Sequence, residues 1–370
     1  MKRKILAILL ALILIVPNAA MATQEVREPQ PAADLMFFAE ILNLIQEDYP
    51  FETDESKLVE AGVKGMLRSV DPYSDYYTSD EVEAKFSEIT GIFTGIGVYL
   101  GQEEGRTYIE DTIKDQPAEA AGIKKGDLIV AIDEKTIEGY SLDDISSLIR
   151  GEAGSKVNIK IKRNEELLSF SVERVNITLN PVSYMMIEDD IGYIQLTNFN
   201  SKATEETVKA LEFFKSKNTN KVILDIRDNP GGLFHEAIET SKLFVAKGDI
   251  VHQRMKNQEM ISYKSFKDAE DYELVLLVNE NSASASEILA GAIKDRGAGT
   301  IIGRQTFGKG IIQSLIPITD GSIVKLTTAE YLTPNKTSIH KKGIQPDIVV
   351  ENNTLDLQLE RAIALLKEIK

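Results

Sequence analysis

The sequence predicts a multidomain α+β protein. An N-terminal helical segment comes first, then a small β-domain with short helices, then an α/β core with a helix-covered sheet. Three observations carry this. Apolar residues recur at helical spacing near the start, at Leu35, Phe38, Ile41, Leu42 and Ile45. A glycine-punctuated stretch rich in β-formers follows, with glycines at 91, 95, 97 and 101. From about residue 180 short apolar strands alternate with amphipathic helices, the pattern of a parallel sheet covered by helices.

Taken in order, residues 1–22 read as an export signal. Lys2, Arg3 and Lys4 precede the apolar run 5–16, which is short for a membrane span, and Ala20-Met21-Ala22 is a small-x-small cleavage site. Cleavage there starts the mature chain at Thr23; an uncleaved segment would instead anchor the protein in the membrane. Residues 23–33 are polar and carry prolines, so they read as a linker. The helical segment spans 34–90. "SKLVEAGVKGMLRSV" is its second helix and "DPYSDYYT" a turn; the pair serves as a dimerisation arm, as a lid, or simply packs on the main body. The β-domain spans 91–175. "TYIEDTI" is a strand, "SLDDISSLIRG" a helix ended by Gly151, and "KVNIKIKRNEELLSFSVER" two strands around Asn164-Glu165. The core, 176–370, alternates "IGYIQLTNF", "ATEETVKALEFFKSK", "KVILDIR", "EAIETSKLFV", "ELVLLVN", "SEILAGAIKD" and "AGTIIG", with a helix closing the chain.

Composition narrows the function. With 370 residues, 43% hydrophobic and 27% charged, the chain can build real cores. Its net charge of −16 argues against a nucleic-acid surface. No cysteine is present, which excludes disulfides, thiolate catalysis and Cys-ligated zinc. Three histidines, His235, His252 and His340, lack metal-motif spacing, though a histidine triad survives on counting alone. No metal or organic cofactor is expected.

In parallel sheets catalytic groups gather at the carboxyl ends of the strands. Three segments fall there: "DIRDNPGG" (225–232), the loop holding Ser282, Ser284 and Ser286, and "GRQTFGKGIIQ" (303–313). A serine at a helix start is a cap, or a nucleophile if a base removes its proton. Lys309, between two glycines, is a loop charge, or a general base if a dry cleft depresses its pKa. The glycines of NPGG make a tight turn, or expose N–H groups to an oxyanion. All three at one sheet edge favour an acyl-transfer site.

These residues resemble a known family. "NENSASASEILAGAIKDRG", "IIGRQTFGKGIIQSL", "LTTAEYLTPNKTSIHKKGIQPDI", "VDPYSDYYT", "LDIRDNPGGL" and "TGIGV…PAEAAGIKKGDLIVAIDEKTI" are similar to motifs of the carboxyl-terminal processing peptidases, or tail-specific proteases, over residues 35–365. The resemblance implies a PDZ domain over 91–175 and a serine peptidase core. It implies Ser284 as nucleophile, Lys309 as base 25 positions on, Gln313 as the residue orienting the amine, and Asp295 in support. The implied oxyanion donors are the N–H of Ala285 and of Gly231 or Gly232. Gly95, Ile96, Gly97 and Val98 would hold the carboxylate of a substrate tail, adding the peptide as a strand. The expected partners are proteins or peptides with free C-termini, in a bacterial cell envelope or other extracytoplasmic compartment, with homodimerisation left open. Two rivals remain: a non-catalytic PDZ scaffold, disfavoured by an intact Ser284 and Lys309, and an acyl-CoA enzyme, disfavoured by the export signal.

Overall fold

The computed structural model describes residues 31–268, 272–351 and 355–368. The segment read as an export signal and most of the stretch read as linker lie outside them. The chain divides into two compact units, one ending at Gly65 and the other running from Met66 to Lys370. In the first unit, α1 (Pro31–Asp48) starts inside the stretch read as linker, because proline suits the first turn of a helix. It is followed by α2 (Glu55–Val70), which continues into the second unit. The Phe38 ring of α1 packs on Gly62 so closely that a Cβ there would stand 2.5 Å from it.

In the second unit, the stretch read as a turn holds a strand, β1 (Asp75–Tyr77). A helix the periodicity does not announce follows, α3 (Ser79–Thr90), its start marked by Thr78 N–H donating to the Glu81 carboxylate at 3.0 Å.

The β-domain contains β2 (Ile92–Gly95), β3 (Val98–Glu103), β4 (Arg106–Thr112), α4 (Pro117–Ala121), β5 (Leu128–Ile132), β6 (Lys135–Thr136), α5 (Leu142–Ile149), β7 (Lys156–Arg163), β8 (Glu166–Glu173) and β9 (Val175–Thr178). β7 and β8 pair around Asn164 and Glu165, both with positive φ, the two-residue hairpin turn the sequence predicts. β2 pairs with β9, so the domain closes at Thr178, three residues beyond the reading. Its main sheet runs β3-β4-β5-β7-β8, which leaves β3 as an edge strand. Ile109, Ile129, Ile145, Val157, Ile159 and Ile161 form its core.

The core comprises β10 (Val182–Ile187), β11 (Ile191–Leu196), α6 (Ala203–Ser216), β12 (Lys221–Asp225), α7 (Phe234–Phe244), β13 (Gly248–Met255), β14 (Ile261–Ser265), β15 (Glu273–Val278), α8 (Ala285–Arg296), β16 (Thr300–Gly303), β17 (Ile311–Pro317), β18 (Ile323–Leu332), β19 (Ile348–Val349) and α9 (Leu357–Glu368). The central sheet runs β10-β11-β12-β15-β16-β19. It is parallel from β11 onward, as expected, and β10, a strand the sequence reading did not list, joins antiparallel through a tight hairpin. Alternate residues face opposite ways: Val222 and Leu224 pack with α6, α7 and α8, while Ile223 packs with Ala362 and Leu366 of α9. A second, antiparallel sheet runs β1-β18-β13-β14, with β17 also on β18. It was not foreseen, and it takes β1 from the stretch read as a turn.

Candidate active site

The three segments singled out at the strand ends meet. β15 lies between β12 and β16, so the turn after β12, the serine loop after β15 and the lysine loop after β16 share one edge of the sheet. Together they line a cavity of about 520 Å³. Its walls include Gly231, Gly232, Ser284, Ala285, Lys309 and Gln313. None of the three histidines borders it. His252 is buried elsewhere against Ser262 and the Pro334 carbonyl.

The structure separates the three serines. Ser282 and Ser286 are fully buried; the hydroxyl of Ser282 donates to the Ile226 carbonyl at 2.8 Å and that of Ser286 to the Asn229 carbonyl at 2.9 Å. Both fasten the serine loop to the segment that follows β12. Ser284 is half-buried, lines the cavity and stands at the N-cap of α8 with φ 56° and ψ −112°. That backbone region is costly for a residue with a Cβ, and such strain collects at functional positions.

The NPGG turn presses on this serine. A Cβ on Gly231 would stand 2.7 Å from the Ala283 carbonyl and 2.9 Å from Ser284 Cβ, so only glycine fits. Asp228 ties the same turn to the serine loop through the side-chain amides of Asn279 and Asn281 at 2.9 and 2.8 Å. These two bonds hold the Asp228 carboxyl below its usual range. The N–H of Gly231 is taken by the Asn229 side chain at 2.9 Å. Gly232 and Ala285, by contrast, donate their N–H to no described group of the protein.

Lys309 is half-buried between Gly308 and Gly310, which are both buried because the segment 340–343 lies against them. Its Nζ donates to Gln313 Oε1 at 3.2 Å and sits 5.0 Å from the centroid of the Tyr73 ring. Gln313 in turn donates from Nε2 to the Tyr73 carbonyl. A register shift in β17 between Ile312 and Gln313 sets the aim of that glutamine. Burial lowers the Lys309 pKa, and the Lys325 ammonium adds to this; Asp71 and Glu287 oppose it. In this geometry the amine is bonded to Gln313 and not to Ser284.

Two residues missed in the sequence hold the loops together. Glu287, fully buried, accepts from Thr306 Oγ1 at 2.7 Å, Gly308 N–H at 2.7 Å, Lys309 N–H at 2.8 Å and Ser284 N–H at 2.9 Å. Burial pushes its carboxyl up while these four donors pull it down, and burial wins. The signal was present, since Ser284-x-x-Glu287 is a capping-box pattern. Tyr331 is buried beneath both loops, its hydroxyl within reach of the carbonyls of Ser284 at 2.8 Å and Lys309 at 2.6 Å. Asp295 is not brought to the cavity. It lies near the other end of α8, about 16 Å along the axis from Ser284, and accepts the Asn335 N–H at 2.8 Å.

In the β-domain, Phe93, Gly95, Ile96, Gly97 and Val98 line one side of a smaller cavity, with Leu142, Ser146 and Ile149 of α5 also lining it. The Ile96 and Gly97 carbonyls accept from Ala118 and Ile113 at 2.8 and 2.9 Å. A trans peptide sets the next N–H opposite its carbonyl. The Gly97 and Val98 N–H groups therefore point away from those inner partners.

Three family models match the chain: Peptidase family S41 over residues 190–350, PDZ domain over 108–163, and Activating protease CtpB N-terminal domain over 15–81. The carboxy-terminal processing protease CtpA of Bacillus subtilis (strain 168) is 38% identical over 311 residues, covering 83% of this chain and 67% of its own. The chain belongs to the carboxy-terminal processing proteases. A probable CtpA-like serine protease of Staphylococcus haemolyticus (strain JCSC1435) is 36% identical over 308 residues, covering 82% of this chain and 62% of its own. The chain thus spans about two thirds of the length of these curated relatives. Among solved structures, the photosystem II D1 C-terminal processing protease of this family aligns over 90% of this chain and 97% of its own, with 28% identity and a TM-score of 0.52.

Proposed function

We propose that the chain is an exported serine endopeptidase that recognises protein tails through its PDZ domain and hydrolyses peptide bonds with a Ser284–Lys309 dyad. The observation that carries this is Ser284 itself: a strained N-cap residue facing a cavity that also holds a half-buried lysine of lowered pKa.

The chemistry follows from these groups. Lys309 swings from Gln313 to Ser284, which lines the same cavity, its four-carbon stem allowing the rotation, and takes the hydroxyl proton as a free amine. Ser284 Oγ attacks the scissile carbonyl. The N–H groups of Ala285 and Gly232, left without partners among the described residues, receive the oxyanion; Gly231 is the weaker candidate because its N–H is engaged. The lysine then returns the proton to the leaving amine, and water repeats the cycle on the acyl-enzyme. Gln313, braced by Tyr73, orients the amine between turnovers. Asp295 supports the far end of α8 rather than the dyad.

The edge strand β3 and the outward N–H groups of Gly97 and Val98 suit an extended peptide ending in a carboxylate. Export rests on residues 1–22, which lie outside the described residues. Among the described residues no helix is long and apolar enough to cross a membrane. Incubating the full chain with an unfolded protein, and reading the fragments by mass spectrometry beside Ser284→Ala, tests the activity. Fragments from both proteins, or from neither, would sink the dyad. N-terminal sequencing of protein recovered from the producing cell tests the leader.

A further inference from the structure

The catalytic cavity holds a second lysine. Lys325, on β18, lines the same cavity as Lys309 and Ser284. It pairs with no carboxylate among the described residues. Its Nζ instead sits 5.3 Å from the centroid of the Tyr77 ring, within cation–π reach. β1 carries that ring, and in its register with β18 Tyr77 lies opposite Ile323 while Asp75 lies opposite Lys325. The segment 71–77 therefore serves both lysines. Tyr73 covers Lys309 and Tyr77 covers Lys325.

Two ammonium groups lining one cavity repel, so the charge of Lys325 makes the Lys309 proton easier to lose. The charged groups around Lys309 are few. Lys325 faces it from β18 and favours the free amine; Asp71, in the loop before β1, and Glu287, on α8, favour the ammonium. Asp71 is fixed by the N–H groups of Tyr73 and Ser74, both at 2.7 Å, so its charge does not swing away. Without Lys325, burial alone would favour the free amine against the two carboxylates.

We propose that the Lys325 ammonium, held at the cavity wall by Tyr77, acts through space to keep Lys309 a free amine, and so is a positioning residue for the base. This rests on the dyad reading above.

The test separates the two ideas. In the full chain carrying Ser284→Ala and ¹³C-labelled lysine, the Lys309 Cε resonance, identified by its loss in Lys309→Arg, is followed through a pH titration by NMR. Lys325→Gln should raise its midpoint by about one pH unit, whereas Lys325→Arg, which keeps the charge, should leave it in place. Lys325→Met serves as a second neutral variant where glutamine disturbs folding, which thermal unfolding reports. An unmoved midpoint in the neutral variants, or an equal rise in the arginine variant, would overturn the proposal. With Ser284 intact, the acid limb of kcat/KM should shift upward in step, an almost tenfold loss of rate below the limb. A midpoint that moves while the limb stays would uphold the electrostatic coupling and refute Lys309 as the base.

Discussion

Glu287 accepts the main-chain N–H of Lys309 at 2.8 Å, through the same oxygen that accepts the N–H of Ser284 at 2.9 Å. One buried carboxylate thus fixes the spacing between the loop of the proposed nucleophile and the loop of the proposed base. Glu287→Gln keeps the shape but turns one acceptor into a donor facing other donors. It should cost about 1–3 kcal/mol in stability and on the order of 10²-fold in kcat, since a small misplacement at a reacting centre is that expensive. Denaturant unfolding and steady-state kinetics check both. A variant with normal kcat would show that the clamp does not position the dyad.

Ser284→Ala should lose on the order of 10³-fold or more in peptide cleavage, as nucleophile removals do. Ser282→Ala and Ser286→Ala each delete a buried hydrogen bond instead, and should lower stability by about 1 kcal/mol with a smaller effect on rate. The strain at Ser284 adds a second readout. Glycine tolerates φ 56° and ψ −112° where alanine does not, so Ser284→Gly should be more stable than Ser284→Ala by about 1 kcal/mol. Equal stabilities would mean that the nucleophile's backbone stores no strain.

Lys309 must be neutral to act as a base. Its pKa is lowered by burial first and by Lys325 second, so the free amine appears at lower pH than for an exposed lysine. Activity should rise as pH climbs through that lowered value and fall below it. Lys309→Arg should be inactive across the range, because a guanidinium keeps its proton. Cleavage by the arginine variant at the normal rate would remove the general-base role.

Much of this site was legible because its chemistry sits in short motifs at strand ends. Residues 273–303 read as strand, helix, strand, and that order alone puts the Ser284 and Lys309 loops side by side. The second sheet was not legible. "GDIVHQRM" and "IVKLTTAEYL" mix polar and apolar residues because their burial depends on partners far away in the chain, such as β1 against β18. For the same reason Asp71–Tyr77 reads as a turn, although Tyr73 meets Gln313 across 240 positions. Glu287 shows only half its role locally. The capping pattern predicts its bond to Ser284, whereas its bonds to Thr306, Gly308 and Lys309 exist only once β15 and β16 are paired.

The PDZ groove should read the free carboxylate of a tail. Ile96 and Gly97 turn their carbonyls inward to the N–H groups of Ala118 and Ile113, so the N–H groups of Gly97 and Val98 face away from those inner partners. A Cβ on Gly97 would stand 2.3 Å from Gln116 Cβ, so the loop reaches this shape only with glycine there. Leu142 and Ile149 make the neighbouring wall apolar, which suits an apolar last side chain. Amidating a peptide's C-terminus removes the charge and one acceptor. A charge-assisted hydrogen bond contributes about 1.5–3 kcal/mol, so affinity should drop by roughly ten- to a hundredfold. Fluorescence anisotropy with the full chain carrying Ser284→Ala, against paired peptides with free and amidated ends, measures this. Equal affinities would mean that Gly97 and Val98 do not hold the carboxylate. Unequal affinities with equal cleavage of long substrates by the intact chain would mean that tail capture does not control the Ser284–Lys309 site.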